Sequence, residues 1–525
     1  MAYSNVKISF NSIFFIISLL FLTFMTIGSM IITLVWSGGG LVLLSSYEIN
    51  TLTFTIKQAI FSSTISCFLA IPISRALFRR NFFFKEYLIN LLGIPFILPV
   101  ISAIFGLILV FGNNGFLNTF LVFLGLPKLT IYGLPGILIA HVFFNLPLAI
   151  RLLLLAWNDI PSEQFKLATS LDFKNADFFR HIELPMLKST LPGLLLLIFL
   201  ICVTSFSIAL TLGGGPSSTT LEVAIYQALR FQLDFSKAAS LACFQFMICG
   251  LCAFFLLVVG KGNASFKAMD LKVNTYNAPY FTNGMWDYVW IFLIGSFLLI
   301  PLLLLFAYGI ADFLNLQTTI YLAALNSLIL SILSGFFGVL IAFSISVWVG
   351  TSVSNTYKNY IEILSIFILA SSPIVMGTGI FLVLKPIISF EYMTPVLVIC
   401  VNATMSLPFM LRSLVPAVRM VEQDFGRLAD SLNIRGYDRI RNIIFPRVAK
   451  AMGFCFGIGS ALSMGDLGVI TFFSFGEFQT LPLAIYRLMI SYRMEQALSA
   501  SVLLIIICFF LFQVFGLIGR YYASR

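Results

Sequence analysis

Apolar residues in this chain gather into long runs, and the polar residues fall between them. A run of about 20 predominantly apolar residues is long enough to cross a bilayer as a helix. Twelve such spans can be read, at roughly 13–36, 53–73, 88–112, 131–156, 189–212, 238–260, 287–310, 320–349, 360–384, 393–417, 451–474 and 497–519. The first is too long for a signal-peptide core and lacks a small-x-small cleavage site, so it reads as a retained helix. The polar stretch Gly262–Met285 divides the spans into six and six. The expected fold is therefore an all-α polytopic membrane protein: a first half over residues 1–262, a linker over 263–285, and a second half over 286–525. An even number of helices in each half makes the two repeats parallel.

Composition sharpens this picture. The 525 residues are 60% hydrophobic and only 10% charged, with a mean hydropathy of +1.02. No soluble domain could hide that much apolar surface. The 57 phenylalanines suit lipid-facing helices. A net charge of +10 would suggest a nucleic-acid partner in a soluble chain. Here the bias of basic residues toward cytoplasmic loops accounts for it, and lipid is the expected surrounding. An inside N-terminus puts 24 of the 31 Lys and Arg on the inner side, including Lys7, the Arg75/Arg79/Arg80/Lys85 cluster, Lys261, Lys267, Lys272, Lys358, Arg520 and Arg525. Both termini are then cytoplasmic. All eight cysteines lie in or beside apolar spans. Cys249 and Cys252 form a CxxC without a nearby His or third Cys, so they read as small apolar filler rather than a metal or redox site.

One stretch occurs twice. Residues Leu146–Pro185 and Leu407–Pro446 align without a gap at a constant offset of 261, with 13 identities. Composition alone would give roughly 2 to 4. The shared positions include Pro147/Pro408, Arg151/Arg412, Leu167/Leu428, Ala168/Ala429, Ser170/Ser431, Leu171/Leu432 and Pro185/Pro446. A weaker echo follows, Thr220-Leu221 with Ala224-Ile225-Tyr226 matching Thr480-Leu481 with Ala484-Ile485-Tyr486. Each copy of the strong repeat begins at the end of an apolar span and runs through a basic, polar loop. Duplication of such a loop points to a docking surface for something outside the membrane.

The first loop, Asp159–Lys188, reads as a helix–turn–helix elbow. Pro161 opens a helix, Glu163 favours its positive end, and Phe165, Leu167, Ala168 and Leu171 form a short apolar ridge. Asp172, and Asn433 in the second copy, occupy the place where the helix should stop. Asp and Asn are the non-glycine residues that best accept a left-handed terminating conformation. A second amphipathic run, Asn175–Ile182, leads to Leu184-Pro185 and the next span.

This pattern resembles the cytoplasmic EAA loop of binding-protein-dependent ABC importer permeases, E-A-A-x-x-x-G followed by a spaced I-x-L-P. Residues 166–172 (KLATSLD) with 182–185 (IELP), and 427–433 (RLADSLN) with 443–446 (IIFP), fit it. The departures are a base, Lys166 or Arg427, in place of the Glu, and Asp172 or Asn433 in place of the Gly. Within that family the chain is similar to thiamine importer permeases at Tyr132–Gly136, His141–Pro147, Leu212–Pro216, Thr219–Gln227, Leu462–Val469, Thr480–Pro482 and Ser491–Arg493. Ferric-iron permeases share the fused two-half plan and stay open as an alternative.

The resemblance implies a multi-pass permease of a bacterial inner membrane that catalyses no chemistry itself. Substrate would be a small molecule, thiamine or its phosphates, delivered by an extracytoplasmic binding protein. ATP with magnesium would be consumed by two copies of a partner ABC ATPase, and this chain would bind no cofactor. The chain has no G-x-x-x-x-G-K-[ST] loop; Gly260-Lys261-Gly262 lacks the Ser or Thr. The coupling residues implied are Lys166, Leu167, Ala168, Leu171, Asp172 and Pro185, with Arg427, Leu428, Ala429, Leu432, Asn433 and Pro446. An ion-coupled secondary transporter also has two parallel six-helix halves, but it predicts many charged relays within spans and no duplicated elbow.

Asp466 is the acid nearest the middle of any span. A carboxylate at that depth either faces a cavity or satisfies backbone groups where the helix loosens between Gly465 and Gly468. Glu222, on an expected external loop, is a second pathway candidate. His141, beside Asn145, reads as a packed, hydrogen-bonded residue, and His181 as structural. Pro147 and Pro408 either bend their spans toward the elbows or serve packing. Trp36, Trp286 and Trp290 fall near span ends, as interfacial anchors do.

Overall fold

The computed structural model describes residues 10–36, 45–259, 284–351, 365, 367–387, 389–473 and 478–523, and among these all regular structure is helical. The expected linker, apart from Gly284 and Met285, lies outside the described residues, as do Lys7, Lys261, Lys267, Lys272, Lys358 and Arg525. Eleven helices among the described residues are long and apolar enough to cross a membrane. The first set comprises α1 (Ile13–Trp36), α2 (Ser46–Arg79), α3 (Val100–Phe111), α4 (Leu134–Asn158), α5 (Ser162–Ser170), α6 (Leu184–Val203), α7 (Ser207–Leu212), α8 (Leu221–Gln227) and α9 (Phe235–Val259). The second comprises α10 (Met285–Gly309), α11 (Thr318–Gly350), α12 (Pro373–Leu384), α13 (Phe390–Ser431), α14 (Phe445–Met464), α15 (Gly468–Phe473), α16 (Leu481–Ile490) and α17 (Met494–Ala523).

The helices are patterned inside out relative to soluble ones. On α2 the buried stripe is polar, Thr51, Thr55, Gln58, Ser62 and Ser66, while Ile60, Phe61, Ile65 and Phe68 are exposed. On α11, Ser327, Ser331, Ser334, Gly335 and Gly338 are buried and Leu322, Leu325, Ile329 and Phe336 face outward. Lipid solvates the large apolar side chains. Between helices, small residues permit close approach and hydroxyls bond locally, so they line the protein side.

Four expected spans are not single helices. The stretch at 88–112 breaks into Lys85–Leu91, a turn at Ile94–Phe96 and α3, because Pro95 and Pro99 interrupt it. The stretch at 360–384 resolves to α12, entered through Ser372-Pro373, with 352–364 outside the description. The stretches at 189–212 and 451–474 each stop and resume: α6 ends at Val203 and α7 begins at Ser207, while α14 ends at Met464 and α15 begins at Gly468.

The leading helix of each set packs on the other set. Helix α1 lies against α11 and α12, and α10 lies against α2 and α3. Both crossings use a glycine. A β-carbon on Gly106 of α3 would come within 2.8 Å of the Pro301 carbonyl oxygen on α10, and one on Gly379 of α12 within 2.5 Å of the Ser29 Cβ on α1. An ion pair of 2.7 Å between Arg80, after α2, and Asp287, on α10, ties one crossing at its end. The exchange makes the two sets hard to separate without unpacking both crossings.

Candidate coupling elbows and membrane-centre breaks

The two elbows are built from different entries and the same exit. After α4 the chain turns through Asp159–Pro161 before α5 starts, since Pro161 cannot continue a helix from upstream. Glu422 occupies the corresponding place in the second copy. There α13 runs unbroken for 42 residues, about 63 Å, from the membrane span into the elbow. Pro147 and Pro408 both lie inside continuous helix.

Both elbows then stop in the same way. Asp172 has φ 53° and Asn433 φ 54°, the left-handed conformation expected from their side chains. The Asp172 N–H donates to the Thr169 carbonyl at 3.2 Å and the Phe173 N–H to the Ala168 carbonyl at 3.0 Å. Asn433 to Asp430, at 3.1 Å, and Ile434 to Ala429, at 2.9 Å, repeat the pair. This paired six-to-one and five-to-two closure satisfies helix-end carbonyls that would otherwise be bare. A π-type turn follows in each copy, at Phe179–Glu183 and Ile440–Ile444. It leads into α6 and α14, with Pro185 and Pro446 in the first turn, where a missing N–H costs nothing.

What the elbows present to the surroundings is narrower than the sequence ridge suggests. Leu167, Leu171, Leu428 and Leu432 are between 56% and 63% exposed, flanked by exposed Lys166 and Arg427. Ala168 and Ala429 turn inward and are 2% and 0% exposed, as does Phe165. The small alanines let each short helix sit close to the rest of the chain, and the leucines are left outward. Glu163, in the first turn of α5, is held below the usual carboxylate range, first by its own backbone N–H and then by the Ser162 hydroxyl.

Unlike anchors hold the two elbows. In the first, Glu183 pairs with Arg75 at 2.7 Å and Arg79 at 2.8 Å, both from the end of α2, and Phe165 packs its ring 5.9 Å from that of Phe78. In the second, Ile444 replaces Glu183. Arg439 bridges Glu422 and Asp430, the latter at 2.8 Å, and Arg447 lies 4.0 Å above the Phe425 ring. Sequence reasoning used Arg75 and Arg79 only for orientation. The Glu183/Ile444 mismatch inside an otherwise matched repeat was the available signal for this clamp.

Deeper in the molecule, the helix breaks Thr204–Phe206 and Gly465–Leu467 fall at one offset of 261. Gln58 donates to the Cys202 carbonyl at 2.9 Å at the first break. At the second, Asp466 Oδ1 accepts from the Gly468 N–H at 3.1 Å, while its Oδ2 is buried without a well-aligned hydrogen bond, the Asn402 side chain and the Val469 N–H standing beside the carboxylate. Asp466 thus answers one of the two sequence readings, since it caps loosened backbone, yet one of its oxygens stays poorly satisfied. Past each break a short helix is capped from a distant span. The Leu221 N–H donates to Thr55 Oγ1 at 2.9 Å and the Leu481 N–H to Ser327 Oγ at 2.7 Å.

Glu222 is not on an exposed loop. It sits in the first turn of α8 at 0% exposure, accepting from Gln245 Nε2 at 2.6 Å and from Ser372 Oγ at 2.9 Å. The two donors belong to α9 and to the entry of α12, so Glu222 is a satisfied bridge between the two sets rather than a free group facing a passage. His141 is buried and bonded to Ser62 Oγ through Nδ1 at 3.0 Å. His181 lies on the elbow with its ring 5.7 Å from that of Phe173. Trp36 and Trp286 are exposed at helix ends.

No protein-family model matches the chain. Individual relatives do, over nearly its whole length. It is 34% identical over 507 residues to the thiamine transport system permease protein ThiP of Brucella abortus, covering 95% of this chain and 93% of that protein. Identity to the Escherichia coli protein of the same name is 34% over 479 residues, 89% of each chain. For Haemophilus influenzae it is 31% over 474 residues, 89% of this chain and 88% of the relative. The chain belongs to the family of thiamine transport system permease proteins.

Proposed function

We propose that this chain is the membrane-embedded subunit of an ATP-driven importer that takes up thiamine or its phosphates. Its two halves, residues 1–262 and 286–525, form the passage, and the elbows face the cytoplasm with both termini. Two copies of an ABC ATPase grip the elbows, and closure of the pair rocks the halves between inward and outward openings. An extracytoplasmic binding protein delivers the substrate. The observation that carries the reading is the paired leucine ridge: two exposed apolar pairs, Leu167/Leu171 and Leu428/Leu432, on elbows with the same stop. Identical motor subunits require matching sockets, and matching sockets are what the repeat preserves. The relatives' names supply the substrate.

The test is a double variant, Leu167→Asp with Leu428→Asp. Uptake of radiolabelled thiamine is lost while the chain still inserts, and the ATPase no longer co-purifies with it. Undiminished co-purification refutes the docking assignment. A wild-type complex that takes up no thiamine refutes the substrate.

A further inference from the structure

The two helix breaks meet. A β-carbon placed on Gly468 would lie 3.4 Å from Cδ1 of Phe206, in the first break, and 3.6 Å from Oδ1 of Asp466, in the second. Ring and carboxylate are therefore no more than 7.0 Å apart, the sum of those distances. Gly465 in turn faces Pro99, at the entry of α3. Both breaks thus lie where the two sets of helices touch, away from lipid.

The chemistry gathered there is uneven. At equal positions in the repeat, the first break has Ser205 and Phe206 where the second has Asp466 and Leu467. The charge comes from one side and the aromatic face from the other. Tyr226 stands edge to face with Phe206 at 5.4 Å, and Tyr486, its repeat partner, is within electrostatic range of Tyr226. Thr204, Ser205, Gly465 and Asp466 are half-buried, not sealed. Unwound backbone inside a membrane protein is tolerated when it is packed in protein or lines a wet cavity. Here the breaks are packed between the helix sets, with Phe206 and Leu467 buried beside the four half-buried residues.

A poorly satisfied carboxylate oxygen at such a place is costly without a counter-charge. Among the described residues, the other acids buried in the helical core have a counter-charge or two donors: Glu48 has Lys237 at 2.7 Å, Glu183 has Arg75 and Arg79, although its Oε2 also lacks a well-aligned hydrogen bond, and Glu222 has Gln245 and Ser372. Asp466 has only the neutral Asn402 side chain and the Gly468 and Val469 N–H groups beside it, and its Oδ2 has no well-aligned hydrogen bond. The geometry points to a transient recognition station for an organic cation that carries an aromatic ring, with Asp466 opposing the positive charge and Phe206, backed by Tyr226, meeting the ring face. A cation passing between carboxylate and ring satisfies Oδ2 and gains an aromatic contact at once. The inference rests on the thiamine reading for the identity of the passenger, since a thiazolium–pyrimidine has both features.

The experiment is radiolabelled thiamine uptake by cells making the full chain with its partner subunits, at saturating binding protein. Membrane abundance is measured by immunoblot. Asp466→Asn and Phe206→Leu each lower the uptake rate about tenfold at normal abundance. Asp466→Glu and Phe206→Tyr, which keep charge and ring, retain most of it. Wild-type rates in Asp466→Asn or Phe206→Leu overturn the station, as does a loss in the conservative pair equal to that in the disruptive pair. If Asp466→Asn does not accumulate, Phe206→Leu, which preserves apolar volume, decides the matter. An inactive wild type refutes the substrate reading instead, so the two failures are told apart.

Discussion

Removing the carboxylate of Glu183 probes how the first elbow is held. Glu183 and Arg79 are nearly sealed, with side chains 3% and 7% exposed, whereas Arg75 is 26% exposed. Glu183→Ala takes from both guanidiniums their nearest counter-charge. Breaking a buried pair from one side costs about 3–5 kcal/mol, because the remaining charge stays desolvated. Arg75 can swing toward water and Arg79 cannot, so the lower end applies, about 3 kcal/mol. The second variant is Arg79→Met with Glu183→Leu, which removes the sealed pair and leaves only the arginine able to reach solvent. Replacing a buried pair with apolar residues of like volume is often near neutral, so most of the loss returns. The assay is equilibrium unfolding of the purified chain in detergent, with limited proteolysis reporting each elbow. Cleavage rises near Phe173 and stays unchanged near Ile434, whose elbow relies on Arg439 with Glu422 and Asp430. A Glu183→Ala variant within about 0.5 kcal/mol of wild type refutes the clamp. So does a double variant as unstable as the single one.

Two further outcomes follow from backbone geometry. Gly106→Val and Gly379→Val each force apart a crossing between a leading helix and the opposite set, and each lowers unfolding stability by about 1–3 kcal/mol. Gly516→Val, inside a helix with nothing within 4 Å of an added β-carbon, is the matched control, and equal stability in all three rules out the reciprocal packing. Asp172→Gly and Asn433→Gly relieve left-handed backbone at φ 53° and 54° and raise stability by up to about 1 kcal/mol each, whereas Asp172→Val lowers it. A melting series that shows no such order argues against the stop.

The elbows were legible because their determinants are local. A left-handed stop needs only a residue that tolerates it, and Asp172 and Asn433 announce it where the related motif has Gly. Exposure was half legible. A ridge of Leu, Ala, Leu at helical spacing does not say which members face out; the packing of α5 against α2 decided that Ala168 goes in and Leu167 out. The breaks at Thr204–Phe206 and Gly465–Leu467 were invisible to hydropathy, which averages over about 20 residues and hardly registers three. Glu222 was misplaced for a similar reason. The run Gly213–Ser218 looks like the start of an external loop, but the chain then returns inward through α8. The donors that make Glu222 tolerable, Gln245 and Ser372, lie 23 and 150 residues away.

Where the repeats agree and where they differ follows a physical logic. Positions on the elbows that face outward are matched, Leu167 with Leu428 and Leu171 with Leu432, as are the stops that shape them. Positions turned inward are mixed: Ala168 and Ala429, Leu221 and Leu481, and Ile225 and Ile485 stay identical, whereas Glu183 corresponds to Ile444, Ser205 to Asp466, Phe206 to Leu467 and, at the offset of 260, Glu222 to Pro482. On the function proposed above, a surface that meets two copies of one motor is constrained to be alike on both sides, because one socket has to fit both. A passage for a small molecule without two-fold symmetry gains nothing from twin walls. Two identical carboxylates at the meeting of the breaks would repel one another in the empty state. One charge opposed by one ring avoids that repulsion and still recognises a cation. Two halves with separate sequences let particular inner positions, such as Ser205 and Asp466, diverge while the outer leucines stay alike.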